Sequence, residues 1–398
     1  MKSFRALAVS SLAVTAAALS ACSSSGGGSS DRTSGGSGRA SDVATDRRVA
    51  NVEVTAAHGC QPDHSSFPAG GITFKIKNKD ATAVSEVELL SGARIVGEKE
   101  NVPPGFSGEF AVTVPAGTYT LYCPGASPER RPITVTGSSS SSAGNDTVTA
   151  LLKQATTGYA KYVDTQVASL ATAGQRLATA LRGTDLAAAQ KAYMLARPFY
   201  EKIEPVAESF VIGKDSVDAD IDAREGDVPA GQWRGFHRIE KALFQQKSLA
   251  GLATYGDKLV ADIGRLQKLT AGLTYQPTEL ANGAQELLDE VAASKITGEE
   301  ERYSHIDLLD FAFNVEGSNQ AFAQLQPALN EIDATLAKTI ADRFAALDTL
   351  LDKYRTNANP SGFQFYGQLS ASDKRTLAAA VKAVQEPLSK VAGKVANA

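Results

Sequence analysis

The chain has 398 residues and a formal net charge of −4, and 43% of its residues are hydrophobic while 21% are charged. This balance is typical of a globular protein and excludes a mostly disordered chain, and the lack of a long basic run excludes nucleic acid as an expected partner. Beyond the N-terminus, no apolar stretch reaches the roughly 18 residues of a transmembrane helix, which excludes a channel or a transporter.

The first 47 residues have the composition of a targeting segment followed by a tether. Lys2 and Arg5 precede a largely apolar stretch, which predicts a signal peptide over residues 1–21. The run Leu19-Ser20-Ala21-Cys22 resembles the lipobox of bacterial lipoproteins, in which the cysteine receives a lipid. We therefore expect a lipid anchor at Cys22, a Gly/Ser tether over residues 22–47, and a location outside the cytoplasm at the cell membrane, in the periplasm or on the cell surface. Cleavage without a lipid is the alternative.

Residues 48–136 alternate apolar and polar side chains in several short runs, such as Ile72, Phe74 and Ile76. Glycine and proline separate these runs. Period-two alternation with such boundaries predicts short strands, and we expect a small antiparallel β-sandwich.

Two cysteines, Cys60 and Cys123, lie near the two ends of this β-domain. In an oxidising compartment they could form a disulfide or bind a metal as thiolates, and their spacing leaves both readings open. No His or Met follows Cys123 closely, which disfavours an electron-transfer copper site. Four carboxylates between the cysteines carry hard oxygen donors that suit ferric iron as well as other ions: Glu86, Glu88, Glu98 and Glu100.

The pattern changes after a polar linker over residues 137–145. From residue 146 to 398, apolar residues recur with the helical period, for example at Leu336, Ile340, Phe344, Leu347 and Leu351. This periodicity predicts seven or eight helices. The expected fold class is therefore multidomain, with a small all-β sandwich followed by an all-α helical bundle.

The clearest chemical signal is a pair formed by His237 and Glu240. They are three residues apart on an amphipathic helix, so they lie on one face and could bind a metal together. Two ligands do not complete a coordination sphere, and other helices must contribute. The alternative is a surface histidine beside a Glu–Lys pair. The helix is not of the two-histidine zinc-protease type, because the second histidine is missing.

Two further acidic clusters could contribute. After Thr297 the sequence reads as a helix start with carboxylates in the first turn, and Glu300 is our candidate to join His237. The second cluster has the spacing i, i+3, i+7, and we expect it to be solvated, with a bound cation as the alternative: Glu201, Glu204 and Glu208.

Three segments together resemble a known arrangement. Residues 235–244, which read GFHRIEKALF, and residues 296–311 resemble the imelysin family, also called HxxE peptidase-like, and residues 98–106 lie in what looks like a cupredoxin-like domain. The resemblance covers about residues 48–395. It implies the extracytoplasmic component of a bacterial iron-uptake system, which binds Fe²⁺ or Fe³⁺ and works beside a membrane iron permease and a haem peroxidase.

The resemblance also implies metal ligands in the helical domain. The HxxE site is taken to hold iron, and it falls on His237 and Glu240. We assign a further aspartate and a further glutamate of the family to Asp257 and Glu300.

In the β-domain the resemblance implies a further metal held by Cys60, Glu86 and Cys123, with copper or zinc as candidates beside iron. Leu121 stands where relatives can have Met, which weakens a copper assignment and favours a disulfide. Two other functions stay open, an HxxE-type metallopeptidase and a polysaccharide-binding or surface-binding module.

Overall fold

The computed structural model describes residues 47–137, 146–293 and 295–398. The predicted fold class is confirmed, because strands make up the first of these segments and helices dominate the other two. Cys22, the signal peptide and most of the tether lie outside the described residues. None of the described helices is both long enough and apolar enough to cross a lipid bilayer.

Nine strands form the β-domain within residues 47–137. Strand β4 shows why these residues form strands: Phe74 and Ile76 face the core, while Lys75 and Lys77 face solvent. The strands are β1 Val49–Thr55, β2 Gly59–Pro62, β3 Ser66–Pro68, β4 Gly70–Asn78, β5 Val87–Ser91, β6 Arg94–Lys99, β7 Ser107–Val114, β8 Gly117–Tyr122 and β9 Arg130–Thr136.

The strands form two sheets, with strand orders β2-β1-β4-β7 and β3-β9-β8-β5-β6. The predicted antiparallel pairing holds for most strand pairs of the sandwich, but β1 pairs with β4 and β3 pairs with β9 in parallel, which the prediction did not include. Both pairs join strands that are distant in sequence, so no tight turn fixes their direction. The period-two pattern is the same for either direction, so it could not reveal this.

Cys60 and Cys123 are joined in a disulfide inside the sandwich, and neither residue is exposed to solvent. Their sulfurs are therefore not free thiolates, and the implied ligation of a metal by these two cysteines is not supported by this structure.

Replacing both cysteines, as Cys60→Ala with Cys123→Ala, is expected to lower the free energy of unfolding by about 4 kcal/mol, because the bridge closes a loop of 63 residues. Chemical denaturation of the metal-free chain would measure this loss. Iron affinity should stay at the parent value. A large loss of iron affinity would instead place the cysteines at a metal site.

Nine α-helices lie within residues 146–293 and 295–398, slightly more than predicted. They are α1 Asp146–Leu181, α2 Leu186–Glu201, α3 Val217–Asp222, α4 Phe236–Glu240, α5 Leu252–Thr270, α6 Pro277–Ala293, α7 Asp307–Asp352, α8 Ala371–Leu388 and α9 Val391–Ala396. Helix α7 is kinked at Asp333, whose backbone is not helical.

The bundle is organised around the long helix α1, which packs against α2, α5 and α7. Its buried stripe includes Tyr159, Val163, Val167 and Leu170, which are spaced at one turn and are fully buried. This helical spacing is the reason that one side of α1 faces the core.

Helix α6 joins the bundle to the β-domain. The Asn282 side-chain amide donates to the backbone carbonyl of Ala111 at 2.8 Å, and the Lys99 ammonium lies 3.0 Å from the Asp289 carboxylate. Strands β6 and β7 therefore lie directly against α6, and the two domains share an interface beside the site described next.

Candidate metal centre

The short helix α4 carries the predicted histidine and begins at a glycine. Gly235 has a φ of 86°, and a Cβ atom there would lie 2.1 Å from the backbone oxygen of Ile221. Only glycine fits this close approach without strain. The contact holds the start of α4 against the end of α3, where Asp222 lies. His237 and Asp222 are thereby brought together from positions 15 residues apart in sequence.

The imidazole of His237 is buried, with 2% of its surface exposed, and its two nitrogens meet different groups. Nδ1 lies 3.3 Å from Glu240 Oε2. Nε2 lies 3.6 Å from Asp222 Oδ1 and 3.6 Å from Glu300 Oε1, and it has no hydrogen-bond partner among the described residues. We call Asp222, His237 and Glu300 the His237 cage. Its three donor atoms lie within 4.8 Å of one another, which is an arrangement that can hold a metal ion.

Glu240 lies behind the imidazole, on the side away from the cage. Its Oε1 accepts hydrogen bonds from the backbone N–H groups of Tyr303 and Ser304, at 2.7 and 2.8 Å. Its Oε2 faces His237 Nδ1. A carboxylate that accepts a hydrogen bond from Nδ1–H fixes the tautomer in which the lone pair of Nε2 is free for a metal, and this is how metal-binding histidines are commonly oriented. Glu240 is therefore placed as a positioning residue.

Glu240→Gln is expected to weaken iron binding by about 10- to 100-fold, the range seen when a group behind a metal ligand is changed. The glutamine NH₂ would favour the tautomer in which Nδ1 accepts, and Nε2 would then carry the proton. Isothermal titration with Fe(II) under anaerobic conditions would measure the affinity, with Glu331→Gln at an exposed position of α7 as the matched control. A loss as large as that of removing the histidine would contradict this placement and make Glu240 a direct ligand.

Neighbouring charges shift the pKa values of His237 and Glu300 in the cage. Burial by itself lowers the pKa of His237, but the neighbouring carboxylates Asp222, Glu240 and Glu300 raise it to about 10. Burial likewise raises the pKa of Glu300, but Lys295, His237 and Arg224 together hold it well below its usual range. The metal-free cage thus contains an imidazolium and an ionised carboxylate. A bound cation would replace the proton on Nε2, because only the neutral imidazole binds metal.

A buried arginine forms ion pairs with carboxylates in and around the cage. Arg197 on α2 is fully buried, and its guanidinium lies 2.9 Å from Asp310 and 3.1 Å from Glu301. It also pairs with Asp222 of the cage and with Glu201. Removing charges from water is costly unless they are paired, so this guanidinium is the main compensation for the carboxylates around it.

Asp257, one of the two further ligands assigned from the resemblance, lies elsewhere. Its side chain is 58% exposed on α5 and pairs with Arg182. Sequence reasoning chose it in place of Asp222, which is the aspartate that meets His237. Glu86 is half-buried on the β-domain, and the described residues give it no hydrogen bond or ion pair. The structure does not bring Asp257 to His237. Glu86 was predicted as a ligand beside Cys60 and Cys123 in the β-domain, and after the loss of those two thiolates to the disulfide its role as a ligand stays a prediction.

The stripe of three glutamates is not simply solvated, so that expectation is wrong for Glu201, which is fully buried. The Lys295 ammonium pairs with Glu204, and the Asn314 amide donates to Glu201 at 2.8 Å. Like charges on one stripe are thus compensated by groups from other helices. Glu204 and Glu208 both line a cavity between the domains.

Two important residues were missed from the sequence. Asp222 ends a six-residue helix, and no spacing links it to His237. Arg197 lies within an ordinary helical pattern and is followed by Pro198 inside α2. Its burial among carboxylates depends on the tertiary fold, which no local signal reports.

Comparison with known proteins agrees with this architecture. The imelysin family matches residues 155–391, and the cupredoxin-like domain family matches residues 12–131. The iron uptake system component EfeO of Escherichia coli O157:H7 is 36% identical over 350 residues, which cover 87% of this chain and 91% of that protein. The EfeO proteins of Escherichia coli K12 and Shigella flexneri are each 35% identical over 350 residues, with the same coverage of both chains.

Proposed function

The chain belongs to the EfeO family of iron uptake system components, and we propose that it binds iron in the His237 cage and delivers it to a membrane iron permease. The observation that carries this proposal is the buried Nε2 of His237, which has no hydrogen-bond partner among the described residues and faces two carboxylate oxygens at 3.6 Å. These separations exceed a hydrogen bond and leave room for an ion between the three donors.

The donor set favours iron. One imidazole and two carboxylates supply nitrogen and oxygen donors, which both Fe(II) and Fe(III) accept. Copper and zinc in the β-domain would have depended on free thiolates, and Cys60 and Cys123 are bound to each other. No contact among the described residues specifically favours a peptidase or a polysaccharide-binding module.

A direct iron titration tests the binding step. The full chain, freed of metal, would be titrated anaerobically with Fe(II) and separately with Fe(III) citrate, and the bound metal would be counted by mass spectrometry. We expect stoichiometric iron, with no cleavage of an unfolded protein substrate. A chain that binds no iron in either oxidation state would overturn the proposal.

The proposed setting is the outer side of the cell membrane, with a lipid anchor at Cys22 and with a permease and a haem peroxidase as partners. The signal-like N-terminus and the Gly/Ser tether support this setting. Cys22→Ser should move the protein out of the membrane fraction, because a diacyl anchor would be lost. Unchanged processing and fractionation would refute the anchor, and failure to co-purify with the permease of the same cell would refute the partnership.

A further inference from the structure

The two carboxylate oxygens of Glu300 in the His237 cage have different neighbours. Oε1 lies 3.6 Å from His237 Nε2, and it lies 3.7 Å from both the Lys295 ammonium and the Arg197 guanidinium. Oε2 accepts a hydrogen bond from the Arg224 guanidinium at 3.0 Å. A carboxylate can bind a metal through one oxygen or through both. The pair with Arg224 therefore occupies the oxygen that Glu300 could add to a metal already in contact with Oε1.

Arg224 differs from the other two basic partners of Glu300 in its access to solvent. The side chains of Arg197 and Lys295 are buried, with 0% and 3% of their surfaces exposed, whereas that of Arg224 is 32% exposed. Arg224 also lines the cavity of about 250 Å³ between the domains, together with Asp222 and Glu300 of the cage. Within the described parts of the chain, it is the one basic side chain that both pairs with the cage and borders this cavity.

The Arg224 guanidinium has two further carboxylate partners outside the cage. It lies 3.6 Å from Glu290 on α6 and 3.5 Å from Asp227, and the side chains of these two residues are 30% and 49% exposed. Asp227 also accepts a hydrogen bond from the backbone N–H of Arg224 at 2.9 Å, which holds the chain at this point. The guanidinium can therefore leave Glu300 while its charge stays paired and its backbone stays in place.

We infer that Arg224 closes the metal-free cage: it holds Glu300 Oε2 until a metal ion displaces it, and it thereby weakens iron binding and speeds iron release. This inference rests on the proposed function, because iron in the cage is the ion with which the guanidinium competes. A hydrogen bond between charged groups is stronger than one between neutral groups, and a positive charge beside a bound cation is repulsive. Arg224 thus keeps the affinity of the cage below the value that its donors alone would give, which suits a protein that must deliver its metal.

The test compares iron affinity and iron release on the full chain. Arg224→Gln removes the positive charge, and Arg224→Lys keeps the charge without the planar fork of the guanidinium. The matched control is Arg265→Gln, because Arg265 is 34% exposed and pairs with two carboxylates, Asp220 and Asp262, but does not line the cavity. Anaerobic titration of the metal-free chain with Fe(II) would measure the affinity. Rapid mixing of the loaded chain with excess 2,2′-bipyridine would measure the rate of release.

We expect Arg224→Gln to bind Fe(II) about 10-fold or more tightly than the parent, since a hydrogen bond to a charged group is worth at least that factor. Release from this variant should be slower by a similar factor, and Arg265→Gln should keep the parent values. Arg224→Lys should lie between the parent and Arg224→Gln in both measurements. A residue with a purely structural role would not produce tighter binding and slower release when it is replaced.

Three results would overturn the inference. Parent affinity and parent release rate in a folded Arg224→Gln variant, as checked by circular dichroism, would do so and would leave the proposed function in place. Weaker binding by that variant would also overturn it, because Arg224 would then position Glu300 for the metal. A parent chain that binds no iron would overturn the proposed function and this inference with it. If Arg224→Gln does not fold, Arg224→Lys decides the question, and release as fast as from the parent would refute the inference.

Discussion

Replacing His237 with alanine is expected to lower the affinity of the cage for iron by more than about 100-fold, beyond the range for groups that act behind a ligand. The change removes the nitrogen donor and leaves Asp222 and Glu300 facing a space filled by water. Anaerobic calorimetry with Fe(II) would measure the loss. His58→Ala, at an exposed position of the β-domain, is the matched control and should bind as the parent does.

The fold should survive this substitution, because the apolar contacts of α4 come from Phe236 and Ile239, which are fully buried. Circular dichroism would check this point. Parent-like affinity of the cage in the folded His237→Ala variant would contradict the account of the site.

Arg197→Met is expected to lower the free energy of unfolding of the metal-free chain by about 3–5 kcal/mol, the usual cost of breaking a buried ion pair by removing one partner. Methionine keeps much of the volume but leaves Asp310 and Glu301 without the guanidinium that lies about 3 Å from each. Chemical denaturation would measure the difference, and Arg343→Met on the exposed face of α7 is the control.

Iron should reduce this deficit, because a cation in the cage restores positive charge beside Asp222. Equal stability of the Arg197→Met variant and the parent would show that the carboxylates do not depend on the arginine. Equal destabilisation with and without iron would show that the guanidinium and the metal do not share those carboxylates.

The fold class was predictable because side-chain periodicity is a local property. Alternation such as that of Phe74 and Ile76 marks strands, and the spacing of Leu336, Ile340 and Phe344 marks a helix. Strand direction was not predictable, since β1 and β4 show the same alternation in a parallel pair as they would in an antiparallel one. The choice between a disulfide and metal ligation at Cys60 and Cys123 was undecided for a similar reason, because the sequence spacing of two cysteines does not give the distance between them in the fold.

The candidate site was predictable only in part. His237 and Glu240 are three residues apart on one helix, so their proximity follows from local geometry. The sequence does not show that His237 faces the cage while Glu240 lies behind the imidazole. That arrangement depends on the backbone N–H groups of Tyr303 and Ser304, which belong to another segment and donate hydrogen bonds to Glu240. Asp222 was missed because a glycine contact, rather than sequence spacing, brings it to the histidine.

The most direct test of the central claim is the position of iron in crystals of the loaded chain, located by anomalous diffraction at the iron edge. The account predicts a peak about 2 Å from His237 Nε2, in contact with the carboxylates of Asp222 and Glu300, with Glu240 on the far side of the ring. A peak between His237 Nδ1 and Glu240, or the absence of a peak within reach of His237, would contradict it.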